Sequence, residues 1–453
     1  MMSNTASTST EDLIKEILDT ADKGLLAQAE EGYEHAYPEH LYLKAQTDGL
    51  QALERVQLII KRLHWGSEDG NLSKGEIGNC LVEKVVKGSC ASLVILCATY
   101  YNHSDWSNEG CQKLAAAFLD DILAISSCPS VFRLLCGYSE VEEPADGCFF
   151  EKGILGEIFR QLKKRLNKES WKKEPASRQV FHWLLLHMKH PFVGEHLNSL
   201  LPPALLFVDD YQPSNKLLGI RCLQHIIKQV DPTELRWYGR SEVIFQALQP
   251  LLYQQEDVII KELIPCLLSI LPIMEKPGQQ RQSPWKPGLY DKIFQTILCN
   301  MEGEQKLALR QEFAKSLEQF ISVMKINILR HMKRLLRVIS SYLELSDGKE
   351  EISRLHTLRA LRAVMIEAWP RIPNHSVHLT KVLLTLLCDI STIDSFNITD
   401  SARHELQDKS EDCLRLLKKC DTSTVEPAIQ EILKTSSLNQ FIKESLERIL
   451  RDG

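Results

Sequence analysis

The sequence predicts an all-α protein, an α-solenoid of HEAT- or armadillo-like antiparallel helix pairs. Apolar residues recur at helical spacing along most of the chain, and strand-like alternation of useful length is missing. In addition, one helix pair is followed by a similar pair at a period of roughly 40–47 residues, which is typical of such arrays. Because a pair of that size cannot bury its own apolar face, it must stack on neighbouring pairs.

The first copy of the repeated pair lies in the centre of the chain. Leu197–Val208 places its apolar residues on one helical face, and Lys216–Val230 does the same after a polar break. Ser214 or Asn215 can cap the second helix, and Pro213 should stop any upstream helix from running into it. These signals predict a helix, a turn and an antiparallel helix.

The second copy follows after a short gap. Val243–Leu252 forms its front helix and Val258–Ile270 its back helix, with a polar break between them. Cys222 in the first copy aligns with Cys266 in the second, an offset of 44 residues. This offset supports a repeat architecture.

Helices are predicted on both sides of this centre. Ser9–Asp12 is a capping-box pattern that opens a short helix ending near Leu18. The remaining predicted helices are Leu41–His64, Glu76–Val86, Ala91–Tyr101, Cys111–Ser126, Val131–Cys136, Ile154–Leu166, Ala176–Met188, Tyr290–Cys299, Glu304–Met324, Ile328–Leu343, Ile352–Glu367, Val377–Ile390, Ala402–Cys420 and a terminal pair after Val425.

Composition shifts along the chain suggest five regions. Three prolines in a Gln- and Gly-rich run mark the best linker. The predicted regions are a disordered tail at 1–9, an N-terminal helical region at 10–150, central HEAT-like repeats at 151–274, a linker loop at 275–289 and C-terminal HEAT-like repeats at 290–453.

The overall composition narrows the class of protein. The 453 residues carry a net charge of −6, which argues against a dedicated nucleic-acid binder. The thirteen cysteines include no Cys-x-x-Cys pair, so we expect reduced, buried thiols in a cytosolic or nuclear protein. We expect no secretory signal at the N-terminus, and no apolar run approaches the roughly 18 residues that span a bilayer.

The sequence contains no recognisable motif for catalysis or for binding a cofactor or metal. The sequence lacks a phosphate-binding glycine loop, a nucleophile elbow and a zinc-protease motif, so we predict no catalytic, cofactor-binding or metal-binding residues and no cofactor. The pairs His187/His190 and His375/His378 have a spacing that could chelate a metal. Neither pair has a cysteine or carboxylate partner nearby in sequence, so a structural role is favoured.

Two basic clusters are candidates for binding an acidic or phosphorylated partner segment. The second cluster places four charges at i, i+3, i+4 and i+7, on one predicted helix face. A solvated surface is the competing interpretation, favoured for the first cluster and evenly balanced for the second. The first cluster is Lys163, Lys164, Arg165, Lys168, Lys172, Lys173 and Arg178, and the second is Arg330, Lys333, Arg334 and Arg337.

The turn within the central pair is a third candidate. Asp209, Asp210 and Tyr211 lie between its two helices. Such residues often satisfy backbone groups in turns. They could equally contact a partner, because the turns of a solenoid line one edge. Sequence alone leaves both interpretations open.

Several stretches between about residues 165 and 420 resemble one family, the second Tti subunits of the Triple T (Tel–Tti–Tti) co-chaperone complex. The resemblance is carried by the order and density of packing and turn residues, and not by a chemical motif. They are Asp209-Asp210-Tyr211-Gln212-x-x-Asn215-Lys216-x-Leu218-Gly219-x-x-Cys222-Leu223-x-His225-Ile226, Glu169-Ser170-Trp171-Lys172, Phe181-x-Trp183, Pro272-Ile273-x-Glu275-Lys276, His331-x-Lys333-Arg334-Leu335-x-Arg337-Val338-Ile339-x-x-Tyr342-Leu343-Glu344, Asp347-Gly348, Trp369-Pro370-Arg371, Cys388-Asp389 and Asp412-Cys413-Leu414.

The resemblance implies a non-enzymatic scaffold subunit found in cytoplasm and nucleus. It implies direct partners, the first Tti subunit and a Tel-type subunit. It also implies an indirect role, with the ninety-kilodalton heat-shock chaperone, in the maturation of phosphatidylinositol 3-kinase-related kinases, including those of the DNA damage response. No nucleic acid or membrane is expected as a partner. The first 150 residues carry no such resemblance.

Two other classes of function stay open at this stage. HEAT and armadillo arrays also serve as transport or nucleic-acid-associated adaptors, and binding of nucleic acid would fall steeply with salt. An enzyme would need a cleft of converging titratable groups.

Overall fold

A computed structural model describes residues 10–26, 39–65, 76–139, 142–275, 287–392, 398–434 and 439–451. Within these ranges every regular element is a helix, and the only extended pairing is an isolated bridge between Ser104 and Ser107. The predicted all-α class is confirmed. The predicted tail at 1–9 and most of the predicted linker lie outside the described residues.

The first half of the chain contains α1 to α11. Their bounds are α1 Thr10–Lys23, α2 Glu39–Trp65, α3 Glu76–Tyr101, α4 Glu109–Ile125, α5 Val131–Cys136, α6 Leu155–Arg165, α7 Pro175–His187, α8 Phe192–Glu195, α9 Leu197–Val208, α10 Pro213–Gln229 and α11 Pro232–Arg236. A single 3₁₀ turn, Trp171–Lys173, precedes α7. Across the described parts of the chain, no helix combines the length and the apolar character needed to cross a membrane.

Within its described residues, the second half contains α12 to α21 and four 3₁₀ segments. The helices are α12 Arg240–Leu248, α13 Asp257–Met274, α14 Leu289–Gly303, α15 Leu307–Met324, α16 Met332–Glu344, α17 Ile352–Glu367, α18 Ser376–Thr392, α19 Asp400–Cys420, α20 Thr422–Leu433 and α21 Gln440–Arg451. The 3₁₀ segments are Trp237–Gly239, Gln249–Tyr253, Lys325–His331 and Trp369–His375.

The chain forms two compact units. One comprises residues 1–207 and 221–234, and the other comprises 208–220 and 235–453. The domain boundaries suggested by composition, at 150 and 275–289, remain predictions.

The first unit is organised around α3. This helix packs against α1, α2, α4, α6 and α7, and its residues from Val85 to Tyr100 are almost all buried. An apolar helix buried on most sides is typical of a core element. The hydroxyl of Tyr100 lies 2.6 Å from the carbonyl oxygen of Gly24, the residue after α1, and 3.0 Å from that of Ala45 in α2.

The continuity of α3 corrects the prediction of two helices, Glu76–Val86 and Ala91–Tyr101. Gly88 lies between them, and a glycine inside a helical pattern favours a break. In the structure the helix continues through Gly88, and Ile14 of α1 packs closely against this position. A Cβ at this position would lie 2.9 Å from Cδ1 of Ile14. The glycine therefore serves close packing and not helix termination.

The second unit contains stacked helix pairs, as the predicted solenoid requires. In the described residues the pairs are α12–α13, α14–α15, α16–α17, α18–α19 and α20–α21. Successive pairs stack in two layers: α14, α16, α18 and α20 contact one another in order, and α13, α15, α17, α19 and α21 do the same. Each pair thus covers the apolar face of the next, which is the packing of HEAT-like repeats.

Several predicted helix boundaries are wrong, and at three of them proline or a tight turn intervenes. Helix α10 begins at Pro213 and not after it, because proline is well suited to a first helical position. Ser214 and Asn215 therefore lie inside the helix and do not cap it. Helix α12 ends at Leu248, and Pro250 lies in the following 3₁₀ segment.

Candidate partner-binding surfaces

The third wrong boundary affects the second basic cluster. Arg330 lies in the 3₁₀ segment Lys325–His331, whereas Lys333, Arg334 and Arg337 belong to α16. The segment starts at Lys325, whose φ of 49° is in the left-handed region and interrupts the helical path after α15. The prediction that the four charges share one helix face is therefore wrong for Arg330.

Arg330 contacts a buried carboxylate of the neighbouring pair. Its guanidinium donates to Oδ2 of Asp291 at 2.6 Å, and the ring of His331 is 2.8 Å from Oδ1. The same carboxylate accepts a bond of 2.9 Å from the backbone N–H of Gly288 at the start of α14. Burial alone would raise the pKa of Asp291, but the bonds from His331 and Gly288 and the charge of Arg330 lower it.

Arg334 and Arg337 contact the other end of α14. Both guanidinium groups lie 3.3 Å from Oε1 of Glu302, and Arg334 also donates to Sγ of Cys299 at 3.0 Å. Arg337 is 61% exposed, so this pair is a surface contact of small energy. The two arginines therefore tie α16 to α14 through exposed charges.

Lys333 differs from the other members of the cluster. It is exposed on α16, and it forms no ion pair with any described residue. Of the four predicted residues it is thus the one whose charge is directed to solvent, while Arg330, Arg334 and Arg337 have intramolecular partners.

The three candidate residues in the turn between α9 and α10 differ in their exposure to solvent. Asp210 is buried, and its Oδ2 accepts a bond of 2.6 Å from Nδ2 of Asn215. Its role is local, as turn chemistry allows. Asp209 is exposed and Tyr211 is 54% exposed, so these two are accessible to a partner.

An exposed aromatic pair is the feature that sequence reasoning missed. Trp237 is 59% and Tyr238 is 90% exposed in the 3₁₀ turn before α12. Tyr238 has a φ of 56°, which is uncommon for a residue with a side chain, and Gly239 follows at 64°. The guanidinium of Arg240 lies 5.5 Å from the Tyr238 ring. The Tyr-Gly dipeptide before a helix was the sequence signal that could have indicated this turn. Hydrophobic periodicity places both aromatic residues in a loop, but it does not indicate that their side chains are exposed.

Aromatic residues and arginine are over-represented among the residues that dominate binding energy at interfaces. Two large rings held in solvent by a left-handed turn therefore form a better candidate for a protein contact than the paired arginines of α16. We call Trp237, Tyr238 and Arg240 the aromatic turn.

The histidine pairs have structural contacts. Nδ1 of His187 is 2.8 Å from the carbonyl oxygen of Trp183, and Nε2 of His378 is 2.8 Å from Oγ of Ser340. No group of three or more potential metal ligands occurs among the described residues.

A buried polar cluster lies in the turn between α16 and α17. Glu351 and Arg354 are almost completely buried, with Arg354 3.6 Å from Oε1 of Glu351. Oε1 of Glu351 also accepts a bond of 2.6 Å from the hydroxyl of Ser346, and Oδ2 of Asp347 accepts one of 2.7 Å from the N–H of Ser353. Burial raises the pKa of Glu351. Because these contacts are internal to the turn, they fix its conformation.

Comparison with protein families gives one match. Residues 158–350 match the model of the Tti2 family. The range contains both basic clusters, the turn between α9 and α10, and the aromatic turn.

Comparison with known sequences gives relatives in mammals and a plant. The chain is 37% identical over 339 residues to mouse TELO2-interacting protein 2, covering 75% of this chain and 64% of the relative. Identity to the human protein of the same name is 36% over 339 residues, covering 75% of this chain and 65% of the relative. An uncharacterised Arabidopsis thaliana protein is 24% identical over 190 residues, 42% of this chain and 41% of that one. The chain thus spans slightly less than two thirds of the mammalian relatives.

Solved structures with a similar arrangement include importin β. One importin β structure aligns with 99% of this chain and 59% of its own, at 12% identity and a TM-score of 0.49. Yeast importin β (Kap95p) aligns with 97% and 58% at 12% identity and a TM-score of 0.45. The fold itself follows from the helix packing described above.

Proposed function

The chain belongs to the Tti2 family, and from this premise we propose that it is a non-catalytic scaffold subunit of the Triple T complex. The observation that carries the proposal is the family match over residues 158–350, together with mammalian relatives named for interaction with TELO2. In this role its direct partners are the first Tti subunit and a Tel-type subunit.

The stacked pairs of the second unit support a scaffold role in physical terms. Helix pairs that cover one another in two layers leave helix faces and turns as continuous surface. Such a surface suits another helical-repeat protein better than a small substrate. We propose that the aromatic turn and Lys333 lie in the contact with the first Tti subunit, with Asp209 and Tyr211 as further contact residues.

The consequence for the cell is indirect. The assembled complex supports the maturation and stability of phosphatidylinositol 3-kinase-related kinases together with the ninety-kilodalton heat-shock chaperone, in cytoplasm and nucleus. Loss of this subunit should therefore lower kinase abundance without lowering kinase messenger RNA.

Depletion and rescue test this proposal. Cells depleted of the protein should recover kinase levels when the full chain is re-expressed. A Trp237→Ala/Tyr238→Ala variant that folds but no longer captures the first Tti subunit should not restore them. Unchanged kinase levels after depletion would exclude the proposed role. Capture of nuclear-transport factors or nucleic acid in place of the two subunits would favour the alternative, a HEAT- or armadillo-type adaptor.

A further inference from the structure

The first basic cluster concentrates charge of one sign in a short stretch. Residues 160–173 contain seven lysines and arginines and one glutamate, a net charge of +6. The whole chain carries −6, so the remaining residues carry −12. A local positive field in an otherwise negative protein attracts anionic groups to one place.

The turn after α6 is held by hydrogen bonds, which fix the backbone positions from which these side chains extend. Oδ1 of Asn167 accepts bonds of 2.9 Å from the N–H groups of Glu169 and Ser170. The hydroxyl of Ser170 donates back to the last carbonyls of α6, at 2.8 Å from the oxygen of Arg165 and 3.2 Å from that of Lys164. The turn is thereby folded against the end of the helix.

Trp171 anchors the far side of the same turn. Its side chain is buried, and its ring packs 5.5 Å from that of Phe207. Nζ of Lys172 and the guanidinium of Arg178 each lie 5.7 Å from the centre of the Trp171 ring. The last turn of α6, the turn after it and the 3₁₀ turn at Trp171 together form residues 163–173, which we call the basic platform.

Three lysines of the platform are available to a ligand. Lys163, Lys164 and Lys168 are exposed and form no ion pair with any described residue. Nearby arginines do have partners: Arg160 pairs with Glu157, and Arg165 lies 3.7 Å from Asp22. The unpaired charges are thus grouped and not spread over the unit.

Helix stability explains only part of this pattern. Basic residues in the last turn of a helix interact favourably with its dipole, by about 0.3–1 kcal/mol each. That accounts for Lys163, Lys164 and Arg165 in α6. It does not account for Lys168, which lies beyond the helix end.

The charge distribution also restricts the ligand. Nucleic acid carries one charge about every 1.7 Å of duplex and needs a long positive track. The platform spans only residues 163–173, which is too short for such a track. A short acidic peptide, by contrast, is small enough to contact only the platform. We propose that the basic platform is a docking site for an Asp- and Glu-rich segment of a partner protein.

A binding measurement on the full chain tests the platform directly. The probe is a fluorescein-labelled peptide of eight glutamates, followed by anisotropy at low and moderate salt. The variant Lys163→Glu/Lys164→Glu/Lys168→Glu should weaken binding at least tenfold. The neutral variant with glutamine at the same positions should give an intermediate loss. Both variants should stay folded, because the side chains are exposed, and their unfolding midpoints should fall only by the lost dipole contribution of Lys163 and Lys164.

A matched control has the same change in net charge. Lys261, Lys292 and Lys381 are exposed in the second unit and form no ion pair with described residues. Their triple replacement by glutamate should leave the peptide affinity within about twofold of the unmodified chain.

Three outcomes would overturn the inference. They are no binding of the peptide by the unmodified chain, an equal loss in both triple variants, and tighter binding of an eight-nucleotide oligothymidylate than of the peptide. The measurement involves no other subunit, so its failure would leave the proposed complex membership untouched.

Discussion

Arg330 donates a 2.6 Å bond to the buried carboxylate of Asp291, and this contact joins the α14–α15 pair to the α16–α17 pair. An arginine that sequence periodicity assigns to a partner-facing helix face thus stabilises the repeat stack. Removing either partner leaves a charge without its counterion in a mostly buried site, which costs more than the pair contributes.

We therefore expect Asp291→Asn to destabilise the second unit by roughly 2–3 kcal/mol. The lowered folded-state pKa of Asp291 means that its contribution is fully present above the ordinary carboxyl value of about 4. The contribution is lost as pH falls through the lowered value. Chemical unfolding at pH 7 and at low pH measures this, and the variant should differ least from the unmodified chain at the lowest pH. An equal difference at both pH values would contradict the assignment.

Charge reversal should separate binding from stability within the second basic cluster. Lys333→Glu changes an exposed charge without a described ion-pair partner, so it should leave the unfolding midpoint unchanged and weaken capture of the first Tti subunit. Arg330→Glu should lower the midpoint itself. If Lys333→Glu leaves capture unchanged in a folded protein, the exposed face of α16 is not in the contact.

The aromatic turn gives the sharpest test of where a partner binds. Replacing Trp237 and Tyr238 by alanine should weaken capture of the first Tti subunit at least tenfold, because exposed rings of this kind dominate interface energies. Folding should be preserved, since both side chains are largely exposed. The control is Tyr253→Ala, which removes another exposed aromatic, 68% accessible, from the same unit. Equal loss in both would mean that the contact is not local to the aromatic turn.

In the first unit, Gly49→Ala should destabilise the packing of α2 on α3 by about 1–3 kcal/mol, because it overpacks a tight contact. A Cβ on Gly49 would lie 2.2 Å from Cζ of the buried Tyr100 ring. Gly156→Ala is the control, since no heavy atom lies within 4 Å of the added carbon. Thermal unfolding followed by circular dichroism should show a lower midpoint for the first variant alone. The same midpoint for both variants would refute this packing.

At the C-terminal end, Lys418 stabilises the last helix. It is 8% exposed, and its Nζ donates to the carbonyl oxygens of Ile449 and Leu450 at 3.4 and 3.1 Å. A cation at a helix C-terminus satisfies free carbonyls and interacts with the dipole. Lys418→Met should speed amide hydrogen exchange in α21, whereas Lys419→Met, at an exposed neighbour, should not. Unchanged exchange in the Lys418 variant would show that α21 does not depend on this contact.

Sequence periodicity was sufficient for the helix class and for most helix positions, because apolar spacing is set by the core that each helix faces. It failed where a long-range contact overrides a local signal. In the sequence, Gly88 suggests a helix end; in the structure, it lies inside α3 and packs against Ile14 of α1. In the sequence, Pro213 suggests a position that no helix includes; in the structure, it is the first residue of α10.

The candidate site was less predictable than the fold. Spacing alone grouped Arg330 with Lys333, since the 3₁₀ turn at Lys325 depends on the path between two pairs. Asp210 and Asp209 are equivalent in sequence, yet one is buried against Asn215 and the other is exposed. The exposure of Trp237 and Tyr238 depends on a left-handed turn that no periodicity encodes.

The most direct test of the central claim is affinity purification of the tagged full chain from cell lysate at moderate salt, read by mass spectrometry. The account predicts stoichiometric recovery of the first Tti subunit and the Tel-type subunit, with kinases in smaller amounts. Recovery of neither subunit from lysate that contains both would contradict it.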